Sequence, residues 1–267
     1  MPEGDTILRA ARTLHQALAG RTVTRFTSTL PQVAGGARHL RIEGRVVAAV
    51  EARGKHLIVR FAGGPALHTH MRMTGSWHLY RLGSRWQKSA ALARAVIETG
   101  DRVAVCFAAP VVEWLTPGQE AGHGSLATLG PDVLAASFDA AAARANLRAR
   151  ADREIGDALL DQRALSGIGN VYKSETLFLC GVSPFARVGS LDDATLVAVI
   201  ARARRLMQSN VGAGTRRTRP ALQGGSLWVY RRRGRPCLRC GAAIRMKRQV
   251  AARSTYWCPA CQPAVAS

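Results

Sequence analysis

Two groups of residues in this sequence could do chemistry, and they stand at opposite ends of it. The first is the opening run Met1-Pro2-Glu3-Gly4-Asp5-Thr6. Removal of an initiator Met that precedes a small residue leaves Pro2 with a secondary amine, followed directly by a carboxylate. An α-amino group titrates at about 7.7–8.0, so an appreciable fraction is neutral and nucleophilic near neutral pH, whereas a Lys amine, at about 10.4, must first be depressed. A secondary amine that attacks a sugar aldehyde carbon gives a cationic iminium directly. That iminium is an electron sink favouring loss of the neighbouring phosphates, and Glu3 is placed to shuttle the protons. Pro and Glu are also common beside an initiator Met without any chemical role, so the pair does not decide the matter alone.

The second group is Cys237-x2-Cys240 and Cys258-x2-Cys261, separated by seventeen residues. This is the spacing of a four-cysteine structural zinc site. Four thiolates close a tetrahedral shell and leave no position for water, so the metal would be structural. Iron or a redox pair would use the same residues but finds no supporting context. The remaining cysteines, Cys106 and Cys180, lie in apolar runs and read as ordinary core residues.

Two weaker features lie between. Arg53-Gly54-Lys55-His56 reads as a tight turn that holds Lys55 at a hairpin tip, either reaching toward a ligand or simply solvated. Ser166-Gly167-Ile168-Gly169-Asn170 precedes a helix; its N–H groups would form an anion nest for a DNA phosphate, to which Asn170 could add a side-chain hydrogen bond. Helix–helix turns often contain glycine without binding anything.

The elements that must position these groups follow from periodicity. Ile7, Leu8, Ala11, Leu14 and Leu18 recur at helical spacing, with Asp5 or Thr6 as N-cap and Gly20 as the stop. Short strand-like runs follow at 22–26, 45–51, 56–61, 66–71, 76–81, 94–99, 102–107 and 111–115, which predicts an antiparallel sandwich or barrel. Gly100-Asp101 should close a hairpin. At Leu129-Gly130-Pro131-Asp132 the period changes from two to 3.6, and helices are expected at 139–148, 154–160, 171–180 and 192–209. The polar, basic stretch 212–225 reads as a mobile linker or DNA-facing loop, and 244–250 with 253–257 as a hairpin between the cysteine pairs.

Composition narrows the class of partner. The chain is 47% hydrophobic and 21% charged, as a globular protein is, and no run approaches the roughly 20 apolar residues of a membrane span. Charged residues interrupt the N-terminus where a signal core would lie, so a cytoplasmic protein is expected. Lys and Arg number 38 against 17 Asp and Glu, net +21. A genomic bias toward Arg would raise acidic residues too, which leaves a polyanion, nucleic acid first, as the better explanation. An anionic membrane surface is the other polyanion, but no basic amphipathic helix with a Trp/Phe/Leu face stands out.

Met1-Pro-Glu-Gly, Arg53-Gly-Lys-His, Gly167-Ile-Gly-Asn-Val-Tyr and the segment from Val229-Tyr-Arg through Arg253-Ser-Thr-Tyr-Trp-Cys-Pro-Ala-Cys261 occur here in one order. Together they resemble the formamidopyrimidine-DNA glycosylase / endonuclease VIII family over essentially the whole chain, closest to the endonuclease VIII branch in an actinobacterial form. The resemblance implies an α+β protein with an N-terminal helix plus antiparallel β-sandwich (1–128), a helix-two-turns-helix domain (129–225) and a β-hairpin zinc finger (226–267) holding one structural Zn2+. It implies Pro2 as Schiff-base nucleophile, Glu3 as acid/base, and Lys55 as proton donor and phosphate contact. Asn170 and Arg253 would bind the phosphates flanking the lesion, with His70 and Tyr230 as further phosphate contacts. Met73, between Arg72 and Thr74, would be the wedge that fills the space of a flipped nucleotide. The implied partner is damaged DNA, bound by a nucleoid-associated monomer with no membrane and no small-molecule cofactor.

Three departures from the family's pattern are visible. Asp5-Thr6 stands where many relatives continue with Pro-Glu, so a second acidic residue is missing. The Arg/Phe wedge loop of the purine-acting branch should lie near 114–124, and its motif is absent. The segment 212–228 is shorter than that branch's base-capping loop and lacks its aromatics. The last two favour oxidised pyrimidines over 8-oxoguanine. The expected activity is thus a bifunctional DNA glycosylase/lyase cleaving by β,δ-elimination. A non-catalytic zinc-finger protein recognising damaged DNA or structured RNA would share the nest, the finger and the charge, but has no need of Pro2, Glu3 and Lys55. A zinc-dependent hydrolase is disfavoured, because four cysteine ligands leave none for water.

Overall fold

The computed structural model describes residues 2–212, 214–220, 225–249 and 253–264. The chain divides into two compact units, Met1–Thr128 and Leu129–Ser267. In the first, helix α1 (Gly4–Leu18) buries Ile7, Ala11, Leu14 and Leu18, the stripe its spacing dictates. Its N-cap is Glu3 and not Asp5 or Thr6 as expected: Glu3 is extended, and its carbonyl already accepts Thr6 N (2.9 Å) and Ile7 N (3.1 Å). Asp5 therefore lies inside the first turn, where the helix dipole favours a carboxylate.

The eight strands are β1 (Arg25–Thr27), β2 (Val47–Arg53), β3 (His56–Phe61), β4 (Ala66–His70), β5 (Ser76–Arg81), β6 (Ala93–Thr99), β7 (Arg102–Phe107) and β8 (Val111–Leu115). They form two four-stranded sheets, β1-β6-β7-β5 and β2-β3-β4-β8, with every pairing antiparallel. Val59 and Leu67 from one sheet share a core with Ile97 and Cys106 from the other, and α1 closes it with Ile7 and Leu14, so the arrangement is a sandwich. Thr99 pairs with Arg102 across the expected Gly100-Asp101 turn.

Three α-helices of the first unit escaped the sequence reading, one of them long. Helix α2 (Pro31–His39) sits between β1 and β2, and buries only Val33 and Ala37. Two apolar positions give almost no periodic signal; what marks the helix is Pro31 at its first position, where a missing N–H costs nothing. Trp114 of β8 pins it by donating its indole N–H to the Val33 carbonyl (2.8 Å). Two short helices, α3 (Pro117–Ala121) and α4 (Gly124–Ala127), follow β8.

The second unit is helical first: α5 (Ala140–Arg148), α6 (Ile155–Ala158), α7 (Asn170–Leu179) and α8 (Asp193–Asn210). Their shared core holds Leu147, Ile155, Tyr172 and Leu196 among others. Cys106 is fully buried as expected, whereas Cys180, just past the end of α7, is only half-buried at the edge of this core. Strands β9 (Arg245–Arg248) and β10 (Ser254–Trp257) make the antiparallel hairpin of the last segment. Among the described residues no helix is long and apolar enough to cross a membrane.

Candidate active site and nucleic-acid interface

In the first unit, Pro2 is half-buried and Glu3 is fully buried at the head of α1. Helix α1 packs on β2 and β3, and the two-residue turn Gly54-Lys55 joins those strands, closed by the Arg53–His56 pair. The same scaffold therefore carries the Pro2-Glu3 pair and the half-buried Lys55. Asp5, one residue before the position where the second acid is missing, is buried and accepts a hydrogen bond from the Thr6 hydroxyl (3.3 Å).

His70 ends β4, and the loop 71–75 leads on to β5. Burial first, and then the Lys55 charge, lower the His70 pKa to about 4, so its imidazole is neutral at physiological pH and would meet a phosphate as a hydrogen-bond donor. Its Nδ1 accepts from the Arg72 backbone N–H (3.1 Å), which assigns the proton to the other nitrogen. The loop is held tightly at its base. Gly75 N donates to the Met71 carbonyl (2.8 Å), and a Cβ at Gly75 would stand 2.8 Å from Met71 Cα and 2.9 Å from Ala109 Cα, so only glycine fits. Met73 at the tip is an apolar side chain left 65% exposed.

In the second unit, Asn170 is the first residue of α7. The loop before it is shaped by Gly167, at φ +102°, and by Gln162, a residue the sequence did not single out. Gln162 accepts from Gly167 N (3.0 Å) and donates to the Leu160 and Ile168 carbonyls (2.8 and 3.2 Å). Asn170 is buried, yet its Oδ1 has no hydrogen-bond partner, and Ser166 Oγ close by is in the same condition. Buried polar atoms are normally satisfied, so these two stand out; Oδ1 is an acceptor, and a phosphate contact by Asn170 would have to use its amide N–H group instead.

Helix α7 also carries two fully buried charges, Lys173 and Glu175, neither of which was picked out from the sequence. Glu175 accepts from the backbone N–H groups of Trp228 (2.7 Å), Val229 (2.8 Å) and Tyr230 (2.8 Å), and from the Thr218 hydroxyl. It thereby fixes the backbone of Tyr230, itself buried against Tyr256. Lys173 donates to Thr255 Oγ1 (2.5 Å) on β10 and so ties the same helix to the hairpin. Charged residues inside an otherwise buried helical run (Val-Tyr-Lys-Ser-Glu-Thr-Leu-Phe) were the available signal.

The stretch 212–225 was expected to be a mobile linker or a DNA-facing loop. Positions 213 and 221–224 lie outside the described residues, but the described part is tied down. Asn210 exchanges two hydrogen bonds with the Arg217 backbone (2.7 and 2.9 Å), and Thr218 N donates to the Ser226 carbonyl (2.9 Å). The region 114–124, without the purine-branch wedge motif, holds the end of β8 and helix α3 instead.

The four cysteine sulfurs cluster within 4.8 Å of one another. Cys237 and Cys261 are 3.9 Å apart and Cys240 and Cys258 3.4 Å, against the spacing of about 3.8 Å that four Zn–S bonds of about 2.3 Å require in a tetrahedron. Backbone N–H groups of Arg239 and Cys261 already point at Cys237 and Cys258 sulfurs (3.4 and 3.5 Å), as they do toward thiolates. The donor set fits one structural Zn2+. Exposed Arg253 stands at the base of the hairpin loop, where its carbonyl accepts from Gln249 N (2.9 Å).

Comparison with known proteins agrees over the whole length. The formamidopyrimidine-DNA glycosylase N-terminal domain matches residues 1–110, the formamidopyrimidine-DNA glycosylase H2TH domain residues 129–220, and the zinc finger found in FPG and IleRS residues 234–264. The chain is 45% identical to the probable endonuclease 8 2 of Streptomyces coelicolor, over 98% of this chain and 94% of that protein. It is 40% identical to the DNA-(apurinic or apyrimidinic site) lyase Nei2 of Mycolicibacterium smegmatis, over 99% and 100% of the two chains. Its fold is that of Lactococcus lactis formamidopyrimidine-DNA glycosylase bound to DNA containing an abasic site, with a TM-score of 0.82 at 24% identity, covering 98% of this chain and 100% of that one. This chain belongs to the formamidopyrimidine-DNA glycosylase / endonuclease 8 family.

Proposed function

We propose that this protein excises oxidised bases, pyrimidines foremost, from damaged DNA and then cuts the strand at the abasic site. After loss of Met1, the Pro2 nitrogen attacks C1′ of the damaged nucleotide, the glycosidic bond breaks, and the base leaves with the amine's proton; the C1′–O4′ bond then opens as O4′ takes a proton from Glu3. The resulting iminium acidifies C2′–H; loss of that proton expels the 3′-phosphate, and a second elimination expels the 5′-phosphate. Glu3, buried beside the amine, moves protons between these steps. Lys55 donates a proton and contacts phosphate. Removing a base requires taking the nucleotide out of the stack, and exposed Met73 is the apolar wedge suited to the gap. His70, Asn170, Tyr230 and Arg253 hold phosphates and set the register.

The domains assigned to these tasks are 1–128 for chemistry, 129–225 for the phosphate nest and 226–267 for the finger. A net charge of +21 supplies the attraction to DNA, and the protein works as a monomer in the cytoplasmic nucleoid. The observation that carries the reading is the fully buried Glu3 directly after Pro2, at the head of α1. Single-turnover assays of the Glu3→Gln variant test it. Base excision from an oxidised-pyrimidine oligonucleotide should vanish while some cleavage of a preformed abasic site survives. Equal loss on both substrates would exclude this division of labour.

A further inference from the structure

The first unit contains a side-chain cluster that the excision chemistry does not use. His68 of β4 and Glu113 of β8 are cross-strand partners and project from the same face of the sheet. His68 Nδ1 lies 2.8 Å from Glu113 Oε1, and His123 Nε2 lies 3.1 Å from the same oxygen. All three candidate donor atoms fall within 4.8 Å of one another. We propose that His68, Glu113 and His123 form a binding site for a divalent transition cation of the zinc class, separate from the four-cysteine finger.

Three features support a built site over a chance meeting of polar side chains. The donors come from fixed backbone: two from paired strands, and the third from the N-cap of α4, where the His123 carbonyl accepts Leu126 N (2.9 Å) and Ala127 N (2.8 Å). The second nitrogen of each imidazole is also engaged. His68 Nε2 meets His56 Nδ1 at 2.8 Å, and His123 Nδ1 meets Ser125 Oγ at 3.2 Å. Such outer partners fix the tautomer and ring orientation of metal-binding histidines. Finally, access is graded from buried to open, with the His68 side chain 1% exposed, that of His123 20% and that of Glu113 40%. A cation can therefore enter on the Glu113 side and rest against the buried ring.

Two imidazoles and one carboxylate suit zinc and its neighbours better than calcium or magnesium, which take mostly oxygen, and they leave a coordination position open. Tetrahedral donors at about 2.0–2.1 Å from a metal stand about 3.3–3.4 Å apart. Glu113 Oε1 would thus draw back from each ring by a few tenths of an ångström, and the two rings would close on the ion. The competing arrangement is a purely hydrogen-bonded relay, His123–Glu113–His68–His56, with no affinity for metal.

Metal stoichiometry separates the two. The full-length protein is equilibrated with buffered free Zn2+ and its bound metal measured by elemental analysis. Wild type should hold two equivalents, one of them in the finger. Glu113→Gln and His123→Ala should each hold one, and His39→Ala, which removes an exposed histidine of α2, should keep two. Glu113→Gln preserves side-chain shape, so its loss of an equivalent, with an unchanged circular dichroism spectrum, reads out ligation and not misfolding. A wild-type protein with a single equivalent, or variants at 113 and 123 that keep the second, would overturn the proposal.

Discussion

Replacing Glu175 probes the device that joins helix α7 to the segment entering the finger. One carboxylate oxygen accepts from Val229 N and Tyr230 N, both at 2.8 Å; the other takes Trp228 N at 2.7 Å and the Thr218 hydroxyl. In Glu175→Gln an amide nitrogen must replace one of these oxygens. The Thr218 hydroxyl can rotate and accept from the amide, so the cheapest placement leaves only Trp228 N–H facing another donor. A buried donor without an acceptor costs about 1–3 kcal/mol, and the surviving hydrogen bonds lose their charge-assisted part, so about 2–4 kcal/mol is expected in total. Glu175→Ala strands three N–H groups and opens a cavity; its cost should exceed that of Gln and reach on the order of 5 kcal/mol. Urea unfolding followed by tryptophan fluorescence, to which Trp228 on Phe178 and Trp257 on Phe185 contribute from this unit, measures the loss. A loss below about 1 kcal/mol in both variants would refute the claim that this carboxylate organises the segment.

Acid should weaken the first unit through its histidines. Burial, followed by the neighbouring His70 and His68, holds the His56 pKa down at about 3, and His70 is lowered to about 4. The unfolded chain therefore takes up these protons first, near pH 6.5, so stability is complete above that value and falls as pH drops toward 4 and 3. Each histidine steepens the loss by at most about 1.4 kcal/mol per pH unit, and the pH dependence of the urea midpoint should flatten in His56→Gln; an unchanged slope contradicts the assignment. Cys258→Ser should release the finger's zinc and abolish DNA binding, since metal supplies the folding free energy of such modules, and a metal-free protein that still binds would disprove it. Arg253→Ala should leave the metal content unchanged, slow excision, and reduce the slope of log affinity against log salt by roughly one, equally in all sequence contexts. Retention of the wild-type excision rate would make Arg253 one surface arginine among many.

How far the sequence was legible depended on whether a feature repeats. The α1 stripe is periodic and the strands are short apolar runs bounded by turn residues, and each appears close to its expected place. Helix α2 was missed because only Val33 and Ala37 face inward. The N-cap was set two or three residues too late because capping preferences favour Asp and Thr side chains, whereas Glu3 makes no side-chain cap hydrogen bond. In the site, contiguous motifs exposed the cysteines, the turn of Lys55 and the loop of Asn170. Residues that act across the fold carry no such mark. Glu175 reaches segments 43 to 55 positions away, and His68 meets Glu113 across 45. Their partners become visible only once strands pair and helices pack.

The central claim is that Pro2 is the nucleophile. The mature protein, with loss of Met1 verified by N-terminal mass, is incubated with an abasic-site oligonucleotide and borohydride, and the cross-linked peptide is sequenced. The adduct should sit on the Pro2 nitrogen and fall sharply in Pro2→Gly. Efficient trapping of that variant through an internal lysine would contradict the account.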